Sequence, residues 1–179
     1  SVGGNVNVYI QSTGAGGSLN TNGNITADRD IIISANNTSA TSTTTTALNA
    51  SGTTKSNNGS ITITGTTAGT GTAVSLGVMT ITGGTGSLSV TGTLAAAGGN
   101  TGITQTGAIT FGSNGGNVSF TSNNKITQSG AISIAANTSG ASSSVTYDTG
   151  TGTSASSISA GALSITAGSS ASINYSILA

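Results

Sequence analysis

Apolar residues recur along this chain in short apolar-polar-apolar steps. They are Val6/Val8, Ile31/Ile33, Ile61/Ile63, Val74/Leu76, Met79/Ile81, Leu88/Val90, Ile109/Phe111, Val118/Phe120, Ile132/Ile134 and Leu163/Ile165. The residue between is mostly Thr, Ser or Asn. A period of two places alternate side chains on opposite faces, so each step predicts a strand with one buried face. Thr, Val and Ile are stiff, β-branched strand formers. Gly, Asn and Ser clusters bound most steps, as turns require. Helical periodicity is essentially absent. The expected core is Ile31, Ile33, Ile61, Ile63, Ile109, Phe111, Val118, Phe120, Ile132, Ile134, Leu163 and Ile165.

The chain also repeats itself. "ITQTGAITF" (103–111) returns as "ITQSGAISI" (126–134). A sandwich needs longer strands with regular turn signals. A parallel β-helix does not: each coil carries two or three short strands, and equivalent residues stack about 4.8 Å apart. On that geometry the two phrases occupy successive coils, with Ile109 under Ile132 and Phe111 under Ile134. Longer matches sit above this one. "NITADRDIIISANNTSA" (24–40) resembles "KITQSGAISIAANTSGA" (125–141), "GSITITG" (59–65) resembles "GALSITA" (161–167), and "GGNVNV" (3–8) resembles "GGNVSF" (115–120). Residues 3–102 thus read as an internal duplicate of 115–179, with "STGAGGSLNTN" as a loop insertion. The expectation is one continuous all-β, right-handed parallel solenoid over 1–179, in about eight coils of about 20–25 residues. Asn stacked on Asn at corners predicts hydrogen-bonded ladders, with Asn36/Asn37, Asn57/Asn58, Asn123/Asn124 and Asn137 as candidates. No charged strand, Pro or amphipathic helix caps either end. Both ends fall in strand-like text, which predicts a segment of a longer polypeptide.

Composition narrows the function classes. The chain has 179 residues, 29 Gly and no Pro, Cys, His or Trp, and only 3% of it is charged. Average proteins carry about 25% charged residues. The regular placement of the apolar residues argues against a disordered tract. Net charge is zero, and the cations are Arg29, Lys55 and Lys125. A nucleic-acid or anionic-membrane partner needs a basic stripe, which is missing. No apolar run approaches transmembrane length, and the first residues do not read as a signal peptide. Low Lys and Arg with abundant Ser, Thr, Asn and Gly fits bacterial surface exoproteins.

The phrases "NGSITITG" (58–65), "GSLSVTGTLAAAGGNTGITQTGAITFGS" (86–113) and "GALSITAGSSASI" (161–173) resemble the shaft of filamentous-haemagglutinin-type bacterial exoproteins. The resemblance covers nearly the whole chain and rests on degenerate motifs. The family's N-terminal secretion domain carries Asn-Pro motifs, and a chain without Pro has none. The resemblance therefore implies interior shaft, a right-handed β-helix, two-partner or autotransporter export, and a role in adhesion, biofilm or reach.

Candidate chemistry is sparse. Asp28-Arg29-Asp30 is the one charge cluster, and it reads either as a weak cation or sugar site or, preferably, as a solvated turn into "IIISA". Polysaccharide-cleaving β-helices use several acids with Lys or Arg, whereas the acids here are Asp28, Asp30 and Asp148. "GGTGS" and "GGNTG" lack the Asp of the calcium-binding nonapeptide repeat. Without His or Cys, a zinc site, a Ser-His triad and a cysteine-histidine pair are excluded. The spacings in "TSTTTTA", "ITITGTT" and "VMTITGG" raise ice binding by ranked Thr. The preferred reading is that Thr is the common polar strand former, since Thr-x-Thr does not recur at one fixed coil position along the sequence. Asn24, Asn36, Asn37, Asn49, Asn58, Asn117 and Asn137 head sequon-like triplets, which arise by chance in so Ser/Thr-rich a chain. Tyr9, Tyr147 and Tyr175 could stack on sugars but more simply cover apolar edges.

The expected function is non-catalytic: the structural shaft of a secreted bacterial surface adhesin or extracellular filament. No cofactor, metal or catalytic residue is expected. The expected partners are neighbouring repeats or identical subunits stacked end to end, with host or matrix glycans as a further class. The alternative is a carbohydrate- or ice-binding module using a flat Thr/Asn/Ser face.

Overall fold

Alternation, turn residues and stacking together generate two parallel sheets. The computed structural model describes residues 3–13, 18–39, 46–95, 100–112, 115–135, 142–150, 158–166 and 173–178. The first sheet stacks β1 (Val6–Ser12), β4 (Ile31–Asn37), β6 (Ile61–Thr67), β8 (Ser87–Leu94), β11 (Asn117–Ser122), β14 (Ser143–Asp148) and β17 (Ile173–Leu178). The second is built from β2 (Leu19–Asn20), β3 (Ile25–Ala27), β5 (Leu48–Ser56), β7 (Val74–Ile81), β9 (Thr101–Gln105), β10 (Ile109–Phe111), β12 (Lys125–Gln128), β13 (Ile132–Ile134), β15 (Ile158–Ser159) and β16 (Leu163–Ile165). β5 and β7 each serve both halves of that sheet. Elsewhere a corner splits it into two columns, one through β2, β9, β12 and β15 and one through β3, β10, β13 and β16. No helix forms among the described residues. The chain is a parallel β-solenoid of about 5 turns.

The repeated phrase stacks as the sequence predicts. Ile109 pairs with Ile132, Phe111 with Ile134, and Ile103 with Ile126. Among the described pairings this is the tightest winding of the chain. In the first sheet Val6 pairs with Ile31, Ile31 with Ile61 and Ile61 with Leu88, and each of these coils uses more chain. Longer coils leave fewer turns than the expected eight. Loops of unequal length between the sheets account for the difference, because strands hold register while loops absorb insertions.

The longer sequence matches describe corners as much as coils. Ile31–Ile33 belong to the first sheet and Ile132–Ile134 to the second. Likewise Ile61–Ile63 stand in the first sheet and Leu163–Ile165 in the second. "GGNVNV" and "GGNVSF" both lead into the first sheet, at β1 and β11. One strand-corner-strand phrase is thus used at different corners of the coil.

The core runs the length of the stack between the sheets. Ile31, Ile33, Ile61, Ile63, Ile109, Phe111, Val118, Phe120, Ile132 and Ile134 are all fully buried. Burying each such side chain contributes roughly 1.5–3 kcal/mol. Leu163 and Ile165, expected with them, are only half-buried. They lie on β16, the edge strand of its sheet among the described residues, where no further rung covers them. Tyr147 is a core residue instead, stacked on Phe120 with ring centroids 5.3 Å apart and planes 20° apart.

Glycine decides how closely the coils approach. A Cβ at Gly52 would lie 2.1 Å from the Gly23 carbonyl oxygen, and one at Gly77 would lie 2.4 Å from that of Ser51. At Gly107 it would meet the Gly77 carbonyl carbon at 2.2 Å, and at Gly130 the Gly107 oxygen at 1.9 Å. Gly23, Gly52, Gly77, Gly107 and Gly130 therefore form a spine up the corner that divides the second sheet. Gly65 and Gly92 do the same between the sheets, where a Cβ would sit 2.3 Å from the Ala73 oxygen and 2.4 Å from the Gly102 oxygen. Gly84 and Gly115, at the corners before β8 and β11, have φ of 69° and 73°, which L side chains rarely adopt.

Candidate functional site

The Asp28-Arg29-Asp30 cluster forms the corner between β3 and β4. Asp28 and Arg29 are exposed and Asp30 half-buried. Asp28 Oδ1 accepts from Asn57 Nδ2 at 2.8 Å, and Asp30 Oδ1 accepts the Ser60 N–H at 2.8 Å. The Arg29 carbonyl accepts the Ser56 hydroxyl at 2.7 Å, and the Asp30 N–H donates to Asn5 Oδ1 at 3.2 Å. Each acid thus ties one coil to the next, satisfying corner groups that the ladders leave unpaired. Among the described residues no three His, Cys, Asp or Glu side chains come together as a metal site. The arrangement is a hydrogen-bonded turn.

Asn57 and Asn123 bond across coils to partners other than Asn, while Asn37 and Asn124 bond to near neighbours in the chain. Asn57 meets Asp28, and its backbone carbonyl accepts the Thr82 hydroxyl at 3.3 Å. Asn123 faces the Leu94 backbone, accepting its N–H at 3.0 Å and donating to its carbonyl at 2.7 Å, as a strand neighbour would. Asn37 is buried, and its Oδ1 accepts the Ser39 N–H at 2.9 Å. Asn49 does bond to an Asn of the neighbouring coil, donating to Asn20 Oδ1 at 3.2 Å. A corner offers acceptors of several kinds, so residue identity alone does not select the partner. Asn137 and residues 41–45 of the Thr run fall outside the described residues.

Gln105 and Gln128 form a buried polar pair that the sequence pattern did not single out. They pair in register between β9 and β12, facing the interior just before corner glycines. Each amide nitrogen donates to a carbonyl two positions on, at Gly107 and Gly130. Gln128 Oε1 also accepts the Tyr147 hydroxyl at 2.8 Å and the Gly161 N–H at 2.6 Å. Gln105 Oε1 has no partner among the described residues. Strand periodicity does mark both positions as inward, which is the signal available in the sequence.

The outward face of the first sheet corrects the reading of the Thr arrays. Thr64, Thr91 and Thr121 pair in one rank across β6, β8 and β11, followed by Asp148 on β14 and preceded by Ser34 on β4. Thr62, Ser89, Ser119 and Thr146 form a second rank, and Thr66 with Thr93 a third. Thr and Ser do recur at fixed coil positions. Loops of unequal length hide this from any fixed spacing along the chain. The other sheet offers a poorer surface: its register shifts between Ala50 and Thr53 and between Lys125 and Ile126, and Lys55 stands among its outward residues.

Tyr9 is 66% exposed on β1, while Tyr147 is buried. Ile10, Leu19, Ala35 and Ala47 line a shallow open depression that holds no enclosed cavity. Among the described residues no helix is long and apolar enough to cross a membrane. No protein-family model, curated protein or solved structure matches the chain.

Proposed function

We propose that this chain is a non-catalytic structural shaft of a secreted bacterial surface adhesin or extracellular filament. The observation that carries this reading is the unbroken stack: parallel ladders, an aliphatic core and a glycine spine continue from coil to coil. Backbone bonds directed along the axis make a rod whose extension breaks many bonds together. A solenoid's coils contact only their neighbours, so length is added without changing the design. Reach, adhesion or matrix assembly then depends on what the rod carries and on stacking against neighbouring repeats or identical subunits, with host or matrix glycans as further contacts. The similarity of "NGSITITG" and "GALSITAGSSASI" to filamentous-haemagglutinin-type shafts supports the same reading.

Electron microscopy and intact mass of the native polypeptide carrying this segment test it. The expected result is a very large chain forming a long thin rod, with a repeat of about 4.8 Å along its axis by fibre diffraction. A compact free monomer of 16.8 kDa would overturn the shaft.

A further inference from the structure

The outward hydroxyls of β6, β8 and β11 form a two-dimensional grid. Along a rank, Thr64, Thr91 and Thr121 are separated by about 4.8 Å, and alternate positions along a strand set neighbouring ranks about 6.6 Å apart. The strands pair without a register shift, so the grid is regular in both directions. Thr has a restricted χ1, so each position presents its methyl and hydroxyl in a narrow range of settings.

Polar side chains at corners bond to one another, as Ser60 with Ser87 and Asp28 with Asn57 do. The hydroxyls of Thr64, Thr91 and Thr121 bond to no protein group among the described residues and remain open to a ligand. Across β4, β6, β8 and β11 no outward residue is charged, and the rank meets its first charge at Asp148, whose Oδ1 accepts the Gly150 N–H at 2.7 Å.

These features select the partner. An uncharged face does not attract an ionic ligand. An open sheet face cannot surround a small molecule. Sugar rings favour aromatic platforms, and β6, β8 and β11 present none; the exposed Tyr9 stands on the edge strand β1, two strands before Thr64 in the same rank. The partner that remains is flat, uncharged and periodic, and it donates and accepts hydrogen bonds at every repeat. We propose that the outer face of β6, β8 and β11 binds ice, using its Thr and Ser ranks to hold an ordered water layer. Each contact is weak, but many form at once on a rigid array with little side-chain entropy to lose. This face is independent of the shaft reading, since a rod of any length could display it.

The test uses the 179-residue chain, its Thr91→Tyr and Thr121→Tyr variants on the grid, and Thr110→Tyr on the other sheet. Thermal unfolding by circular dichroism first establishes which proteins are folded. Thermal hysteresis and uptake of labelled protein into a growing ice crystal are then measured. The wild type is expected to show both. A grid variant that melts like the wild type is expected to lose both, while Thr110→Tyr keeps them. Rejection of folded wild type by ice would overturn the proposal. Equal losses from Thr110→Tyr and the grid variants would also overturn it, because binding would not lie on this face. Rejection by ice together with retention on crystalline chitin or cellulose would overturn it in favour of a polysaccharide surface.

Discussion

The glycine spine offers the sharpest test of the stacking geometry, because one column contains its own control. At Gly107, a methyl group would lie 2.2 Å from the Gly77 carbonyl carbon and 2.4 Å from both the Gly77 oxygen and the Val78 nitrogen. All three are backbone atoms, so relief requires the coils to separate or the corner to shift. Overpacking of this kind costs about 1–3 kcal/mol. At Gly23, in the first coil of the same column, nothing lies within 4 Å of the added methyl, and φ is not in the left-handed region. Alanine there reduces the freedom of the unfolded chain and stabilises by about 0.4–1 kcal/mol. Gly107→Ala and Gly23→Ala should therefore differ by about 1.5–4 kcal/mol, with opposite signs relative to the wild type. Urea unfolding followed by far-ultraviolet circular dichroism measures the difference, and an unchanged m-value confines it to stability. Hydrogen exchange should locate the loss in β7, β10 and β13, since solenoid coils couple to their neighbours. Equal midpoints for the two variants would refute the close approach of Gly107 to Gly77 and with it this corner's register.

Two further sets of substitutions probe the polar groups. Gln128→Met removes an acceptor shared by the Tyr147 hydroxyl and the Gly161 N–H, whereas Gln105→Met removes an oxygen that has no partner among the described residues. Gln128→Met should cost about 1–3 kcal/mol more than Gln105→Met in the same urea assay, and equal costs would contradict the described network. At the β3–β4 corner, Asp30→Asn keeps an oxygen for the Ser60 N–H, whereas Asp30→Ala loses it and should cost about 0.5–1.5 kcal/mol. Calcium should leave the melting temperature of the wild type unchanged, and a clear rise that Asp30→Asn abolishes would turn the corner into a cation site.

What could be read along the chain is what depends on near neighbours. The alternation at Ile61/Ile63 or Ile109/Phe111 fixes which side chains face inward, because the strand period is two whatever surrounds it. The doubled phrase at 103–111 and 126–134 placed Ile109 under Ile132 because no insertion separates those coils. Tertiary structure decided the rest. "NITADRDIII" and "KITQSGAIS" look alike, yet they turn different corners, since a strand-corner-strand phrase carries no mark of its sheet. The Thr ranks escaped a fixed spacing because loops change coil length while the ladders preserve register. Gln128 meets Tyr147 only when β14 lies over β11 and beside β12. The spine glycines read locally as ordinary turn residues, and their requirement comes from backbone in the coil beneath, a full winding away along the chain. Local alternation therefore specifies the strands and their buried faces, while the stacking of coils creates the spine, the interior polar pair and the outward hydroxyl ranks.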